Sequence, residues 1–260
     1  MRDGKKKGWA YFLIGIVVVI ALAFLAAKVS AHVSRRRAEQ LLHNLRQLQV
    51  GKSTFEEARA FSVAHGGGVS PFDHSGCNLT HCTFEVAIKH YPLLMEVWGP
   101  SLLSMETTWQ VVRVLPAIGL QDWHAGATVL VDGGIVTKVN YGVFVRGNGG
   151  SVLGRHTDEL LVKPEHLRER MGQRSYFVSW FNITTVGGGE GIKSTLTPQA
   201  NAEERNRAYD VDFGCLTKLG GCTSLRQMAP NAFADLVKEV GEMPWLDAHD
   251  PHCARFKLPK

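Results

Sequence analysis

The chain has 260 residues, 45% of them hydrophobic and 20% charged, enough for one sizeable domain together with an anchor or an appendage. Its formal charge is +5, yet residues 1–37 hold eight of the 29 Lys and Arg and a single acid, Asp3, so everything after Arg37 carries a net charge of −2. The basicity belongs beside an apolar segment, where it suits anionic lipid headgroups, and nucleic acid is not expected as a partner.

Residues 1–7 read as a short cytoplasmic N-terminus. From Gly8 to Ala27 the run GWAYFLIGIVVVIALAFLAA carries no charge over 20 residues, a length that spans roughly 30 Å as a helix. It predicts a transmembrane helix over residues 8–27 whose partner is the lipid bilayer, with Trp9 and Tyr11 in the headgroup region and Lys28 at the far end. The competing reading is a cleaved signal, for which VSA at residues 29–31 supplies small residues, but the run is longer than the roughly 7–15 residues of a secretory apolar region. Residues 28–37 read as a basic juxtamembrane linker. Arg2, Lys5, Lys6 and Lys7 on one side nearly balance Lys28, Arg35, Arg36 and Arg37 on the other, so the cations do not orient the helix.

The cysteines supply the orientation. Cys77 with Cys82 and Cys215 with Cys222 form two local pairs that suit disulfides, each stabilising by roughly 2 to 2.5 kcal/mol in the chain-entropy account. Such bridges persist outside the cytoplasm, which predicts a single-pass signal-anchor protein of the cell membrane with its C-terminal domain extracytoplasmic. Cys253 is left over.

Residues 38–197 read as a helix pair followed by an antiparallel sheet. Leu41, Leu42, Leu45 and Leu48 fall on one helical face, and Gly51 stops that helix. Ser53 with Glu56 and Thr54 with Glu57 are capping-box arrangements for a second helix, which carries Phe55, Ala58 and Phe61 and closes at Gly66 to Gly68. The GKST at residues 51–54 resembles the end of a phosphate-binding loop, but Arg46 stands where such a loop needs glycine, and amphipathic helix precedes it in place of a buried strand. Gly51 is therefore expected as a helix stop and Ser53 as a cap. A DNA-binding reading of the same corner fails on charge, since the second helix opens with Glu56 and Glu57 and has Arg59 as its only fixed cation.

Farther along, Phe84, Val86 and Ile88 alternate with polar neighbours, METTWQVVRVL from Met105 suggests another strand, and ATVLVDGGIVTKVNYGVFV is a hairpin turning at Asp132, Gly133 and Gly134. RSYFVSWFNITTV and GIKSTLT read as two more strands joined by GGGEG at residues 187–191. Residues 198–246 turn helical: Asn201 and Glu204 cap a helix expected to run through ERNRAYDVDFGCLTKLGG, and NAFADLVKEVGEM forms another. Residues 247–260 are a polar tail. The class is α+β, with an N-terminal transmembrane helix, a short helix pair, an antiparallel β-sheet and a C-terminal helical segment.

The run Leu45, Leu48, Val50, Gly51, Ser53, Phe55, Glu56, Ala58 resembles the helix-turn-helix opening of the SmpA/OmlA (BamE-like) envelope domain over about residues 38–68, although Lys52 replaces the family's usual Met and no lipobox cysteine is present. With the later AYDVDFGCLTKLGGC, the chain also looks like uncharacterised single-pass membrane proteins of bacteria. These resemblances imply a membrane location and an antiparallel sheet after the helix pair.

Chemistry-bearing motifs are sparse. His74, Cys77, His81 and Cys82, and His249, Asp250, His252 and Cys253, are residue types that ligate zinc, but neither cluster has CxxC or HxxxH spacing, and no metal site is expected. HGGG at residues 65–68 resembles an oxyanion loop without a GxSxG partner. Asp210 and Asp212 stand two residues apart and point to different helix faces. No catalytic residue and no cofactor is assigned. The sequence thus favours a non-catalytic binding or structural module of the cell envelope with a possible envelope protein partner. The alternatives are a hydrolase-like envelope enzyme with a dispersed site, and a membrane-tethered regulator facing the cytoplasm.

Overall fold

The computed structural model describes residues 3–71, 73, 76–90, 115–146, 175–183, 189–222 and 225–241. Helix α1 (Asp3–Leu45) runs for 43 residues without a break, about 65 Å at 1.5 Å per residue. Residues 28–37, expected as a linker, are part of it. The physical reason is in the composition: no glycine or proline occurs between Gly15 and Gly51, and Arg35 and Glu39 add a pair at 2.7 Å one turn apart. The helix ends at Leu45, before Gly51, the residue expected to stop it; turns at Gln47 and Leu48 carry the chain on to Gly51, which takes a φ of +87°. There the backbone N–H of Gly51 donates to the Val136 carbonyl at 2.7 Å, and a side chain would press on Pro198.

Helix α2 (Phe55–Ala64) follows, and its N-cap is Thr54, whose hydroxyl accepts from the Glu57 N–H while the Glu57 carboxylate accepts from the Thr54 N–H. This corrects the assignment to Ser53. The Ser53 hydroxyl is buried and accepts from the Gln49 N–H at 3.1 Å, closing the preceding turn instead. Two donors compete for two adjacent hydroxyls, and the turn takes the inner one.

Six antiparallel strands form one sheet in the order β1-β2-β3-β4-β6-β5: β1 (Gly68–Val69), β2 (His81–His90), β3 (Trp123–Asp132), β4 (Ile135–Arg146), β5 (Tyr176–Ile183) and β6 (Gly189–Leu196). The β3–β4 hairpin turns on Gly133 and Gly134, with φ of 62° and 80°, the left-handed pair that a two-residue hairpin requires. One face buries Cys82, Phe84 and Val86 against the odd residues of β3 from Trp123 to Val131 and against Val139, Tyr141 and Val143 of β4. Helices α1, α2, α3 (Ala202–Ala208), α4 (Leu225–Met228) and α5 (Pro230–Gly241) contribute their buried side chains to that same core, giving two layers. Residues 198–241 are therefore not a separate unit.

The C-terminal region departs from expectation in one place. The helix capped by Asn201 and Glu204 ends at Ala208 and does not continue to the glycines at 220 and 221. Asp212 instead accepts from the Gly214 N–H at 2.6 Å and starts a separate 3-10 turn, Phe213–Thr217. A β-carbon at Gly214 would sit 2.7 Å from the Asp212 carboxylate, so the glycine permits the break.

The domain has two ends. At the near end, the 3-10 turn Leu115–Ile118 and Leu120 pack on Ala27 and Ala31 of α1. At the far end, Gly51, Ser53 and Phe55 bond to the β3–β4 turn. From Lys28 to Leu45 the helix rises about 26 Å, close to the roughly 30 Å of a ten-residue strand, so helix and sheet are matched in height. Strands β2, β4 and β5 end, and β6 begins, toward the near end, at His90, Arg146, Ile183 and Gly189. The strand expected from Met105, the tail with its His249, Asp250, His252 and Cys253, and His74 lie outside the described residues.

Candidate functional site where the apolar helix enters the domain

Among the described residues one helix, α1, is long and apolar enough to cross a membrane. Its side chains are exposed at Trp9 and from Tyr11 through Leu25, which is compatible with a single-pass anchor and is shared by signal sequences. Burial begins abruptly at Ala27 and is complete at Ala31. Both are alanines, and the missing bulk lets Leu115 and Leu120 close on the helix as a small second cluster.

Between these alanines, Lys28 is gripped by two loops distant in sequence. Its ammonium donates to the carbonyls of Gly119 and Thr217, each at 3.3 Å. Two turns on, the Arg35 guanidinium donates to the Thr217 hydroxyl at 3.0 Å. Still higher, Arg46 donates to the Tyr209 carbonyl. Two cations of α1, Lys28 and Arg35, and Arg46 just past its end thus hold backbone or hydroxyl oxygens of the domain, and such charge-assisted bonds are the stronger kind.

The loops themselves are braced. Gln121 is fully buried, and its amide both donates to the Cys222 carbonyl (3.2 Å) and accepts from the Cys222 N–H (2.6 Å), replacing a strand pairing between segments about a hundred residues apart. Gly119, at a φ of +70°, leaves the space that Lys28 occupies, since a β-carbon there would collide with the ammonium and with the Lys218 carbonyl. The Cys215–Cys222 disulfide, Cα to Cα 4.8 Å, closes the second loop with both cysteines buried. Sequence spacing identified this bridge. The bonds of Lys28 to the loops, and the roles of Gln121 and Thr217, were not identified, because nothing local marks a lysine or glutamine whose partner lies about a hundred residues away or more.

The other bridge, Cys77–Cys82, Cα to Cα 4.4 Å, sits at the far end. Its loop is an Asx turn in which the Asn78 carboxamide oxygen accepts from the Thr80 and His81 N–H groups, each at 2.9 Å. The bridge takes both cysteines of the zinc-type cluster, and His81 faces Asp73 and Asp132 at 3.9 and 3.8 Å. Among the described residues no three metal-capable side chains converge. The HGGG stretch is a helix end in which His65 meets Asn44 at 3.1 Å and Gly67 lies too close to Val86 and Ser62 to carry a side chain. Asp210 accepts from Asn231 at 2.7 Å and Asp212 caps the 3-10 turn.

The sheet's other face carries a feature that sequence reading missed. Pairing places Ala87, Gly126, Gly142, Lys193 and Ser179 in one row across five strands. Beside this shallow row His124 stacks on Phe144, centroids 4.7 Å apart, and Thr195 donates to Asn140 at 2.8 Å. Phe144 and Phe177 are buried there, outside the helix-side core. Burial first, and Lys138 second, lower the pKa of Lys193, while Glu85 opposes them.

Among the described residues, Ser62 Oγ, His90 Nε2, Trp123 Nε1 and Tyr141 OH are buried polar atoms with no hydrogen-bond partner. His90 and Trp123 lie with centroids 6.0 Å apart near the near end. Burial lowers the His90 pKa, favouring the neutral ring, and raises that of Tyr141 well above its usual value against the pull of Arg46.

No protein family, no curated protein and no solved structure matches this chain.

Proposed function

We propose that this chain is a single-pass membrane protein whose α+β domain stands outside the cytoplasm as a non-catalytic binding or structural module of the cell envelope. The observation that carries the reading is that the apolar helix and the domain share one helix: Ala27, Lys28 and Ala31 belong to the domain's own packing and bonding. Cleavage after Ala31 would remove those contacts, which supports retention as an anchor over loss as a signal. The two disulfides support an oxidising compartment. Structural duties already occupy the carboxylates and His65 that sequence offered for chemistry, which favours binding over catalysis. A helix pair leading into an antiparallel sheet also agrees with what the envelope-domain resemblance of residues 38–68 implies.

The enzyme alternative draws on one observation, the half-buried Lys193 with its lowered pKa, because catalytic lysines are tuned by such burial. An activity abolished by Lys193→Met in a folded protein would favour it.

Thiol labelling of intact and lysed cells, with and without reductant, tests the reading. At most one of the five cysteines is expected to react before reduction, and reagent excluded from the cytoplasm is expected to reach all that do. Five free thiols protected until lysis would place the domain in the cytoplasm and end the envelope reading.

A further inference from the structure

The two loops that grip Lys28 each present an exposed aliphatic side chain next to the gripping carbonyl. Ile118 precedes Gly119 and is 37% exposed, and Leu219 follows Thr217 by two residues and is 76% exposed, more than any other large hydrophobic side chain among the described residues. Lys28 is the first charge after the uncharged run Gly8–Ala27. If that run fills the hydrocarbon, Lys28 marks its boundary, and the bonds to Gly119 and Thr217 bring both loops to the same level. Lys218 beside Leu219 is exposed, and the next turns of α1 present exposed Val29 and Val33 and the exposed cations Arg36 and Arg37. Apolar tips among cations are the composition of a surface that dips into the acyl boundary while its charges meet phosphates.

We infer that the Ile118 and Leu219 loops rest in the interfacial layer of the bilayer that α1 crosses, so that the domain is seated on the membrane and not held clear of it. The inference rests on the anchor reading. The continuous helix gives the loops no freedom to swing away, and the sulfur bridge, Gln121 and Lys28 fix Leu219 in its exposed position. The chain supplies its own control, because Leu79 is also an exposed leucine (66%) inside a disulfide loop. Leu79 lies against the β3–β4 turn, at the opposite end of the domain.

The test uses the full chain with Cys253→Ser in nanodiscs of phosphatidylethanolamine and phosphatidylglycerol. An environment-sensitive fluorophore is placed in turn at Leu219→Cys, Ile118→Cys, Leu79→Cys and Val17→Cys, with both native bridges verified. Quenching by lipids that carry a nitroxide just below the headgroup is expected to be several-fold greater at Leu219 and Ile118 than at Leu79, and lipids that carry it deep in the acyl chain are expected to quench Val17. Quenching at Val17 with none at Leu219 and Ile118 beyond the Leu79 level overturns the seating and leaves the anchor standing. A blue-shifted but unquenched Leu219 reports a protein surface, such as a second copy, and likewise overturns it. An unquenched Val17 overturns the anchor reading itself.

Discussion

Cys77–Cys82 and Cys215–Cys222 close loops with sequence separations of 5 and 7 at opposite ends of the domain, and each loop holds out one leucine. Their chain-entropy contributions are nearly the same, about 2 and 2.5 kcal/mol. Their surroundings are not. The far loop has an exposed Cys77 and closes on its own Asx turn and on the hairpin, where the Gly134 N–H donates to the Thr80 carbonyl at 3.2 Å. The near loop buries both cysteines and delivers the Thr217 carbonyl and hydroxyl to Lys28 and Arg35. Covalent closure is thus similar, and the packed neighbours decide that one loop finishes a sheet while the other holds the apolar helix.

The largest test of this difference removes each bridge in turn. Cys215→Ser with Cys222→Ser is expected to lower stability by about 4 kcal/mol, since two hydroxyls are buried as well as a link lost, against about 3 kcal/mol for Cys77→Ser with Cys82→Ser, where only the hydroxyl at 82 is buried. Urea midpoints of the full chain in detergent compare them, and equal losses or a reversed order would remove the distinction. Next in size, Lys28→Met leaves two carbonyls without their ammonium and is expected to cost about 1–2 kcal/mol by the same measurement. Its mark should appear as faster hydrogen exchange in residues 213–222 and not in 77–82. An effect spread evenly over both loops would mean that the lysine supports the fold in general.

A smaller effect concerns the far end alone. Thr54→Ala is expected to cost about 1 kcal/mol and to speed exchange at the Glu57 amide, while Ser53→Ala should leave that amide unchanged. Acid gives the smallest effect, and it belongs to the near end. Burial lowers the His90 pKa from 6.5, so the unfolded state binds the proton more readily. Stability is then full above 6.5 and declines as pH falls below that value toward the folded pKa. His90→Leu should flatten the decline in melting temperature between neutral and mildly acidic pH, and an unchanged slope would shift the effect elsewhere, for instance to His65, whose pKa burial also lowers.

Legibility in the sequence followed the range of the interactions. The apolar helix, the β3–β4 hairpin, both cysteine pairs and the Asn201 cap are local, written within a few residues, and they stand in the structure where the sequence put them. Ser53 and Thr54 offered the same signal twice, and only the neighbouring turn chose between them. Residues 28–37 looked like a linker because their charges dominate the composition, although nothing in them interrupts a helix. The helix grip was not legible at all: Lys28 meets Thr217, and Gln121 meets Cys222, through tertiary folding, as do Gly126, Gly142 and Lys193, which share a row only once the register of three strands is known.

The central claim is that the apolar segment and the domain move as one body through residues 28–37. Spin labels at Ile20→Cys and Val63→Cys, in the Cys253→Ser chain in nanodiscs, read it directly by pulsed dipolar spectroscopy. A single narrow distance distribution is the predicted result. A broad distribution, as a flexible juxtamembrane linker would produce, would contradict it.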